Sequence, residues 1–458
     1  MKTETTIQAN PKIQQSEKSQ FRQYASYKPS NVEWLGDVPS HWKVDRIKDI
    51  FIDNSTNINI DVLKKVERVA HYSIPAFDNG KQPEIVNGEE IDSNKTLLIG
   101  NQILFSRLNS HKPRVWLIDE DDEFKVCSTE FFVHRNEDKK ANLKFFEYLL
   151  TDDGFIALAA SFQSSVTNSH KRIAPKDYYN FGVPLPPFTE QTAIAAYLDQ
   201  ATANIDKVIA TKQNQLEKLE QYKQSKIHEC VTKGLNPDVT LKRSGIDWIG
   251  EVPSNWKVER LKYVVSKIGS GVTPKGGAAV YLTTGIPLIR SQNVHFDGLD
   301  FSDIACITEE IHDDMSGSKV KRGDVLLNIT GASIGRCYYY DLDDEANVNQ
   351  HVCILRPNDL MTTNFLYYLM MSEIGQSQIF SGFKGSGREG LGNEAIKIFK
   401  IPLPKTKEQR EISDYLDFFC DNIKKEKSII EQQIEKLKQY RKCLIPECVT
   451  GKRKVINQ

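Results

Sequence analysis

The sequence lacks a long apolar run, an apolar stretch at its start and closely paired cysteines. Its most apolar segment, Phe365 to Met371, is far shorter than the roughly 20 residues that a membrane-spanning helix needs. The polar start excludes a signal peptide and predicts a disordered tail over residues 1–20. The eight cysteines form no Cys-x-x-Cys pair, which favours reduced, buried thiols over disulfides or a zinc site. We therefore expect a cytoplasmic protein with no membrane association.

Motifs for catalysis are also missing. The sequence contains no GxxxxGK[ST] phosphate loop and no HExxH zinc motif. Asp119, Glu123 and Lys125 loosely match a nuclease pattern, but 26% of the residues are charged, so chance accounts for the match. An adenine methyltransferase needs Asn, Asp or Ser before its Pro-Pro pair, whereas Leu185 precedes the prolines here. We expect no catalytic residues, no metal site and no cofactor in this chain.

What the sequence does contain is an internal repeat. The segment EWLGDVPSHWKVDRIK recurs as DWIGEVPSNWKVERLK, with ten of sixteen positions identical. The repeat comprises three pairs of segments: 33–48 with 247–262, 183–199 with 401–417, and 215–232 with 433–450. The segments between them, 49–182 and 263–400, have 134 and 138 residues but little similarity. A repeat this long indicates a tandem of whole domains rather than a solenoid, and two different inserts in one frame suggest that each copy recognises something different.

A long helical pattern follows each Pro-Leu-Pro segment. Apolar residues recur at heptad spacing, which predicts a coiled-coil seam, although two ordinary amphipathic helices remain the alternative. The predicted seam residues are Leu198, Ile205, Leu219, Leu416, Ile423, Ile430, Leu437 and Leu444.

The ends of both helices can be predicted from local residues. Thr189 is the expected N-cap of the first helix, and the Gly-Leu-Asn-Pro segment that begins at Gly234 is its expected end. Pro446 is expected to end or kink the second helix one turn early. About 46 helical residues make a rod of roughly 70 Å. If the second rod packs on the first, the two run antiparallel.

These features predict mixed α/β heads separated by a two-helix spacer with pseudo-twofold symmetry. Strand-forming segments are expected at 102–107, 114–118 and 129–133 in the first head, and at 287–290, 324–329 and 352–356 in comparable places of the second. The expected domains are a tail over 1–20, head 1 over 21–187, spacer helix 1 over 188–236, head 2 over 237–403, spacer helix 2 over 404–452 and a tail over 453–458.

Polar loops in both heads are candidates for contact with DNA. The net charge of −1 argues neither for nor against nucleic acid, because a phosphate-binding face needs only local clustering. Arg and Lys neutralise phosphates and bind guanine, and Asn and Gln can bind adenine, although polar loops are often only solvated. The candidate DNA-binding residues are Arg107, Asn109, Lys112, Arg114, Asn168, Lys171 and Arg172 in head 1, and Thr273, Lys275, Arg290, Gln292, Asn293, Ser333, Arg336, Lys384 and Arg388 in head 2.

The chain resembles the specificity subunit of type I restriction-modification systems over roughly residues 27–452. The resemblance rests on the two Trp-x-Gly-x-Val-Pro-x-x-Trp segments and the Pro-Leu-Pro entries to both helices. In head 2 it also includes the segments at 270–274 and 323–335, and in head 1 the segments at 72–75 and 104–109 suggest a different target-recognition type of the same family.

This resemblance implies that the chain is not an enzyme but a DNA-binding subunit with two target recognition domains. Each would recognise one half of a split sequence in double-stranded DNA, and the helices would separate the halves. The implied partners are two methyltransferase subunits, which carry S-adenosylmethionine and flip the adenine, and restriction subunits, which use ATP and Mg. Two other hypotheses are a self-contained DNA-modifying enzyme with an unrecognised site and a coiled-coil scaffold that binds only proteins.

Overall fold

The computed structural model describes residues 23–455 except 53–55, 120–122, 137–139, 165–170 and 385–389. The tail predicted over residues 1–20 lies outside this part of the chain. None of the helices in the described ranges combines the length and the apolar character that crossing a membrane requires. All eight cysteines are free and six are buried, as the sequence predicts.

The chain folds into small sheets and short helices that alternate with two very long helices. The strands of head 1 are β1 Tyr27–Pro29, β2 Asp37–Pro39, β3 Lys43–Arg46, β4 Thr56–Ile58, β5 Val69–Tyr72, β6 Glu84–Val86, β7 Lys95–Leu98, β8 Gln102–Ser106, β9 Val115–Ile118, β10 Lys125–Cys127, β11 Phe131–Arg135, β12 Gln163–Ser164, β13 Arg172–Ile173 and β14 Gly182–Leu185. Its helices are α1 Ile47–Ile50, α2 Ile60–Leu63, α3 Ile74–Asp78, α4 Leu143–Leu150, α5 Asp153–Ser161 and α6 Pro175–Tyr178, and α7 Phe188–Lys233 follows.

Head 2 repeats this pattern. Its strands are β15 Leu241–Arg243, β16 Glu251–Pro253, β17 Lys257–Arg260, β18 Val265–Ser270, β19 Ile286–Ile289, β20 Val294–His295, β21 Gly298–Leu299, β22 Ala305–Ile307, β23 Val325–Asn328, β24 Cys337–Tyr339, β25 Asn347–Val348, β26 Val352–Pro357 and β27 Lys400–Leu403. Its helices are α8 Glu309–Asp314, α9 Thr363–Met371, α10 Glu373–Lys384 and α11 Asn393–Lys397, and α12 Thr406–Val449 follows.

Two compact units make up the chain. Unit 1 is the chain up to residue 211 together with the residues from 433 onward, and unit 2 is residues 212–432. Both dividing points fall inside α7 and α12, so each unit contains one head and a part of each long helix. The predicted fold class, mixed α/β with two repeated domains joined by a long helix, is confirmed.

The two long helices are held mainly by apolar residues that the heptad pattern predicts. Six of the eight seam residues are buried, and Leu219 and Leu437 are half-buried. In unit 2 the helices run antiparallel, because Glu220 pairs with Lys427 while Tyr222, further along α7, contacts Phe419, which is earlier in α12. In unit 1, Leu198, Ile205 and Leu444 are buried in one apolar core.

The predicted helix end at Gly234 is confirmed. The predicted N-cap at Thr189 is wrong, and so is the expectation that α12 ends at Pro446. α7 ends at Lys233, and Gly234 follows with a φ of +73°, a left-handed conformation that suits glycine. α7 begins at Phe188 rather than after a Thr189 cap, since the Glu190 N–H already donates to the Pro187 carbonyl. α12 does not end at Pro446: it continues to Val449, where the Thr450 N–H donates to the Pro446 carbonyl.

The two heads share a core of corresponding strands, although their sheets differ in the number of strands. In head 1 the parallel pair β5 and β10 leads into the antiparallel sheet β11-β8-β9, and in head 2 the parallel pair β19 and β25 leads into β26-β23-β24. β14 pairs with β3 at the base of head 1, as β27 pairs with β17 at the base of head 2. The strand predicted at 287–290 therefore corresponds to β5. No strand was predicted at β5, so this strand has no counterpart among those predicted in head 1.

Candidate nucleic-acid interface

The polar loop that follows β8 in head 1 is fixed by backbone hydrogen bonds. The Arg107 N–H donates to the Glu130 carbonyl at 2.9 Å, and the Ile173 N–H donates to the Arg107 carbonyl at 3.1 Å. Leu108 forms a bridge with Arg172. Three stretches that are distant in sequence therefore meet here, and they include the predicted residues Arg107 and Arg172.

The loop that follows β23 in head 2 is fixed in the same way. The Ile329 N–H donates to the His351 carbonyl at 3.0 Å, and the Leu391 N–H donates to the Ile329 carbonyl at 2.8 Å. Thr330 forms a bridge with Gly390. We call the place where these three stretches meet the junction of each head. The backbone hydrogen bonds of the junction are the same in both heads, and its side chains differ.

In head 1 the junction carries two arginines around one carboxylate. Glu130 accepts hydrogen bonds from Nε and Nη2 of Arg172 at 2.8–3.1 Å, and these bonds raise the pKa of Arg172. The Nε of Arg107 lies 3.8 Å from the same carboxylate, too far for a hydrogen bond. This Nε atom is buried and has no hydrogen-bond partner among the described residues.

Asn109 and Lys171 lie beside this junction. Asn109 has a φ of +50°, a conformation that Asn tolerates better than most residues. Its N–H donates to the Lys171 carbonyl at 2.7 Å, and its Oδ1 accepts the Lys171 N–H at 3.3 Å. Asn109 thus joins the backbone at Lys171 to the loop that follows β8. The Lys171 side chain is exposed at the surface.

The remaining candidates of head 1 have different environments. Arg114 is buried and donates two hydrogen bonds to Asp78, at 2.8 and 2.7 Å, and these bonds lower the pKa of Asp78. Its guanidinium is therefore engaged within the head. Lys112 is exposed. Asn168 lies outside the described residues.

In head 2 the junction forms one wall of an open cleft of about 470 Å³. Three predicted residues, Gln292, Ser333 and Arg336, come together there. The lining residues are Ser291, Gln292, Thr330, Gly331, Ala332, Ser333, Arg336 and His351. Nδ1 of His351 lies 2.6 Å from Oγ1 of Thr330, and Nη1 of Arg336 lies 3.4 Å from Nδ1 of His295. Hydroxyl, amide, imidazole and guanidinium groups thus line one concave surface.

The loop from Arg290 to Asn293 supports this cleft. Asn293 is buried: its Oδ1 accepts the Arg290 N–H at 3.0 Å, and its Nδ2 donates to the Asp300 carbonyl at 2.9 Å. Nη2 of Arg290 donates to the carbonyl of Asp303, and Gln292 donates to the carboxylate of Asp303. Asn293 therefore holds the loop in shape, whereas Gln292 is exposed toward the cleft.

The other head 2 candidates are not brought into the cleft by any described contact. Thr273 and Lys275 are exposed in the loop after β18. Lys384 is the last residue of α10, and Arg388 lies outside the described residues.

Glu130, Thr330 and His351 lie at the candidate interface but were not among the predicted DNA-binding residues. No local motif marks Glu130 or His351, because Glu130 contacts Arg172 across 42 positions and His351 contacts Thr330 across 21. Alignment of the two heads on their strands, rather than on their sequences, would have revealed them, since both residues come directly before the strand that pairs with the loop-bearing strand.

Comparison with known proteins identifies the repeat. A family model for the type I restriction modification DNA specificity domain matches residues 39–218 and again residues 253–436. The type I restriction enzyme MjaVIII specificity subunit of Methanocaldococcus jannaschii is 28% identical over 67% of this chain and 72% of its own length. The putative MjaX specificity subunit of the same organism is 26% identical over 95% and 98%. The EcoBI specificity subunit of Escherichia coli is 27% identical over 66% and 63%.

Solved structures share the fold. A chain from a structure of complex assembly and conformational transition of the type I R-M system superposes with a TM-score of 0.72 at 19% identity. The HsdS subunit from Thermoanaerobacter tengcongensis superposes with a TM-score of 0.59 at 20% identity. Each comparison covers 90% of this chain and 98% of the other. At these identities the likeness concerns the fold.

Proposed function

From the premise that this chain belongs to the type I restriction modification DNA specificity family, we propose that it recognises a bipartite sequence in double-stranded DNA, with head 1 binding one half-site and head 2 the other. One observation carries this proposal. The junctions of the two heads have the same backbone hydrogen bonds but different polar side chains, Glu130, Arg107 and Arg172 in one and His351, Thr330 and Arg336 in the other. Two copies of one scaffold with different chemistry suit two different half-sites.

Rigid presentation of these side chains favours base recognition. The loops begin at the ends of buried strands, so their positions are set by the sheets. Arginine can bind guanine with two hydrogen bonds, and Gln can bind adenine in the same manner, whereas exposed lysines such as Lys171 and Lys275 are suited to phosphates.

In this proposal the chain is not itself an enzyme. It directs two methyltransferase subunits, which supply S-adenosylmethionine, and restriction subunits, which use ATP and Mg, to the bound sequence. The long helices α7 and α12 set the spacing of the half-sites and offer a docking surface for the methyltransferases. The proposal also places the protein in the cytoplasm, where these partners and their DNA are found.

Exchange of one head tests the proposal. We would replace residues 49–182 with the matching segment of a relative, which leaves β3 and nearly all of its partner β14 in place. After assembly with methyltransferase subunits, sequencing of methylated adenines should show one half-site changed and the other retained. A change in both half-sites, or in neither, would contradict independent recognition by the two heads.

A further inference from the structure

Glu130 and His351 occupy the same position in the two heads. The carbonyl of Glu130 accepts the N–H of Arg107, and the carbonyl of His351 accepts the N–H of Ile329, at 2.9 and 3.0 Å. Each residue comes directly before the strand, β11 or β26, that pairs with the loop-bearing strand. The backbone at this position is therefore kept, while the side chain changes from a carboxylate to an imidazole.

The carboxylate of Glu130 organises both arginines of head 1. It binds Arg172 through three short contacts, which fixes the guanidinium of that residue. It also lies 3.8 Å from Nε of Arg107, close enough for electrostatic attraction but not for a hydrogen bond. Nε of Arg107 is buried and has no hydrogen-bond partner among the described residues, so the carboxylate of Glu130 is the charged group that acts on this side of the guanidinium.

We infer that Glu130 is a positioning residue for base recognition, which holds Arg107 in place for a guanine in the half-site of head 1, and that His351 with Thr330 is the corresponding position in head 2. This inference rests on the proposed function. Guanine presents two acceptors, O6 and N7, in the major groove, and arginine satisfies both at once. A carboxylate beside the arginine restricts its side-chain freedom and repels a phosphate that would otherwise compete for it.

A purely structural role for Glu130 makes a different prediction. An ion pair at this exposure contributes little to folding, and its loss would act on all DNA sequences alike. A positioning role instead makes discrimination at one base pair depend on the carboxylate. Head 2 is consistent with the second role, because His351 lines the cleft together with Ser333 and Arg336.

The inference can be tested with Glu130→Gln and Arg107→Ala in the chain assembled with methyltransferase subunits. Asp49→Asn is the matched control. Like Glu130, Asp49 is a carboxylate paired with an arginine, here Arg46 at 2.7 Å, but it lies on α1, outside the polar loops. We would determine the methylated sequence and measure competition between DNA duplexes that differ at one base pair. Glu130→Gln and Arg107→Ala should each lower discrimination at the same guanine position about tenfold and leave the half-site of head 2 unchanged. Asp49→Asn should behave as wild type.

The failures of the inference and of the proposed function can be told apart. A wild-type complex without any sequence preference would overturn the proposed function. A wild-type complex that selects a bipartite site, together with undiminished discrimination in both variants, would overturn only the inference. Relaxation of both half-sites, or at an A·T pair instead of a G·C pair, would also overturn it. If Glu130→Gln unfolds on heating well before wild type, undiminished discrimination in Arg107→Ala alone would still overturn the inference, because that variant keeps the pair between Glu130 and Arg172.

Discussion

Gln191 at the start of α7 accepts the backbone N–H of Asn142 through Oε1 at 2.7 Å, and so joins the long helix to the beginning of α4. Its Nε2 donates to the carbonyls of Lys140 and Pro186 at 3.0 and 2.8 Å. The residue is fully buried. Gln409 at the start of α12 makes the equivalent contact, accepting the Thr362 N–H at 2.8 Å. One amide side chain thus anchors each head to its helix.

We predict that Gln191→Ala destabilises unit 1 by about 2–4 kcal/mol, because it removes the hydrogen bonds to the partly buried N–H of Asn142 and to the buried carbonyl of Pro186. Gln200→Ala is the control, since Gln200 is exposed on the same helix, and its effect should stay within about 0.5 kcal/mol. Chemical denaturation of both variants measures the difference. Equal stability of the two variants would show that the contact between Gln191 and Asn142 does not anchor the head.

The long helices were predictable from sequence because their determinants are local. Periodic apolar residues such as Leu416 and Ile423 fall on one helix face by spacing alone, and Gly234 ends α7 through its own backbone conformation. The errors at Thr189 and Pro446 concern helix ends. Thr189 is a favourable cap, but the helix begins before it, because the Glu190 N–H bonds to the Pro187 carbonyl. Pro446 is a helix breaker, but the helix continues past it, because the Thr450 N–H bonds to the Pro446 carbonyl.

Glu220 should make unit 2 sensitive to acid. Partial burial raises the pKa of Glu220, but hydrogen bonds from Lys427 and Gln224 and the nearby Lys223 outweigh burial and lower the pKa to about 2. The unfolded value is about 4.3. Because the folded pKa is the lower one, the stabilisation is present above about pH 4.3 and is lost as the pH falls toward 2. With a side chain 40% exposed, solvent screening limits it to about 1 kcal/mol or less.

Unfolding measured between pH 5 and 2 tests this assignment with Glu220→Gln. At every pH, Glu220→Gln should be no more stable than the double variant Glu220→Gln, Lys427→Met. Its free energy of unfolding should fall less steeply with acid than that of wild type. High salt should reduce the difference between the two proteins. An unchanged slope in Glu220→Gln would show that other carboxylates account for the acid sensitivity.

A matched pair of heptad insertions should change the spacing of the half-sites. We would insert seven residues between Thr211 and Lys212 and seven between Gln432 and Gln433, where the two units divide, so that contacts within each unit are kept. Each insertion adds roughly 10 Å of helix, or about three base pairs, and preserves the heptad pattern. The methylated sequence should keep both half-sites and gain a longer spacer. An active variant with the original spacing would exclude a ruler function for the helices.

The arrangement of the candidate interface was only partly predictable from sequence. Arg107, Arg172, Gln292, Ser333 and Arg336 were identified by residue type, since polar loops near strands favour recognition. Residue type could not separate them from Arg114, which is hydrogen-bonded to Asp78, or from Asn293, which stabilises the conformation of its own loop. Glu130 and His351 were not predicted, because strand pairing between distant segments places them at the junctions.

The final prediction separates residues that recognise bases from residues that support them. Arg336→Ala should cost about 1–3 kcal/mol of binding and relax one base position of one half-site, because Arg336 lies in the cleft of head 2. Lys171→Ala should weaken binding to all sequences alike and lower the salt slope by about one unit, as expected for an exposed lysine at a phosphate. Asn293→Ala should instead destabilise head 2, because its buried amide holds Arg290 and Asp300.

Binding of the assembled methyltransferase to cognate and mismatched duplexes at several salt concentrations, together with thermal unfolding, distinguishes these three outcomes. The full set of alanine variants also covers Arg107, Asn109 and Arg290, the other candidates on loops next to strands. Arg290 already donates to the carbonyl of Asp303, so its replacement should lower stability as well as affinity. If alanine at all six positions leaves affinity and sequence preference at the wild-type level, these loops are solvated surface and the DNA-binding face lies elsewhere on the heads.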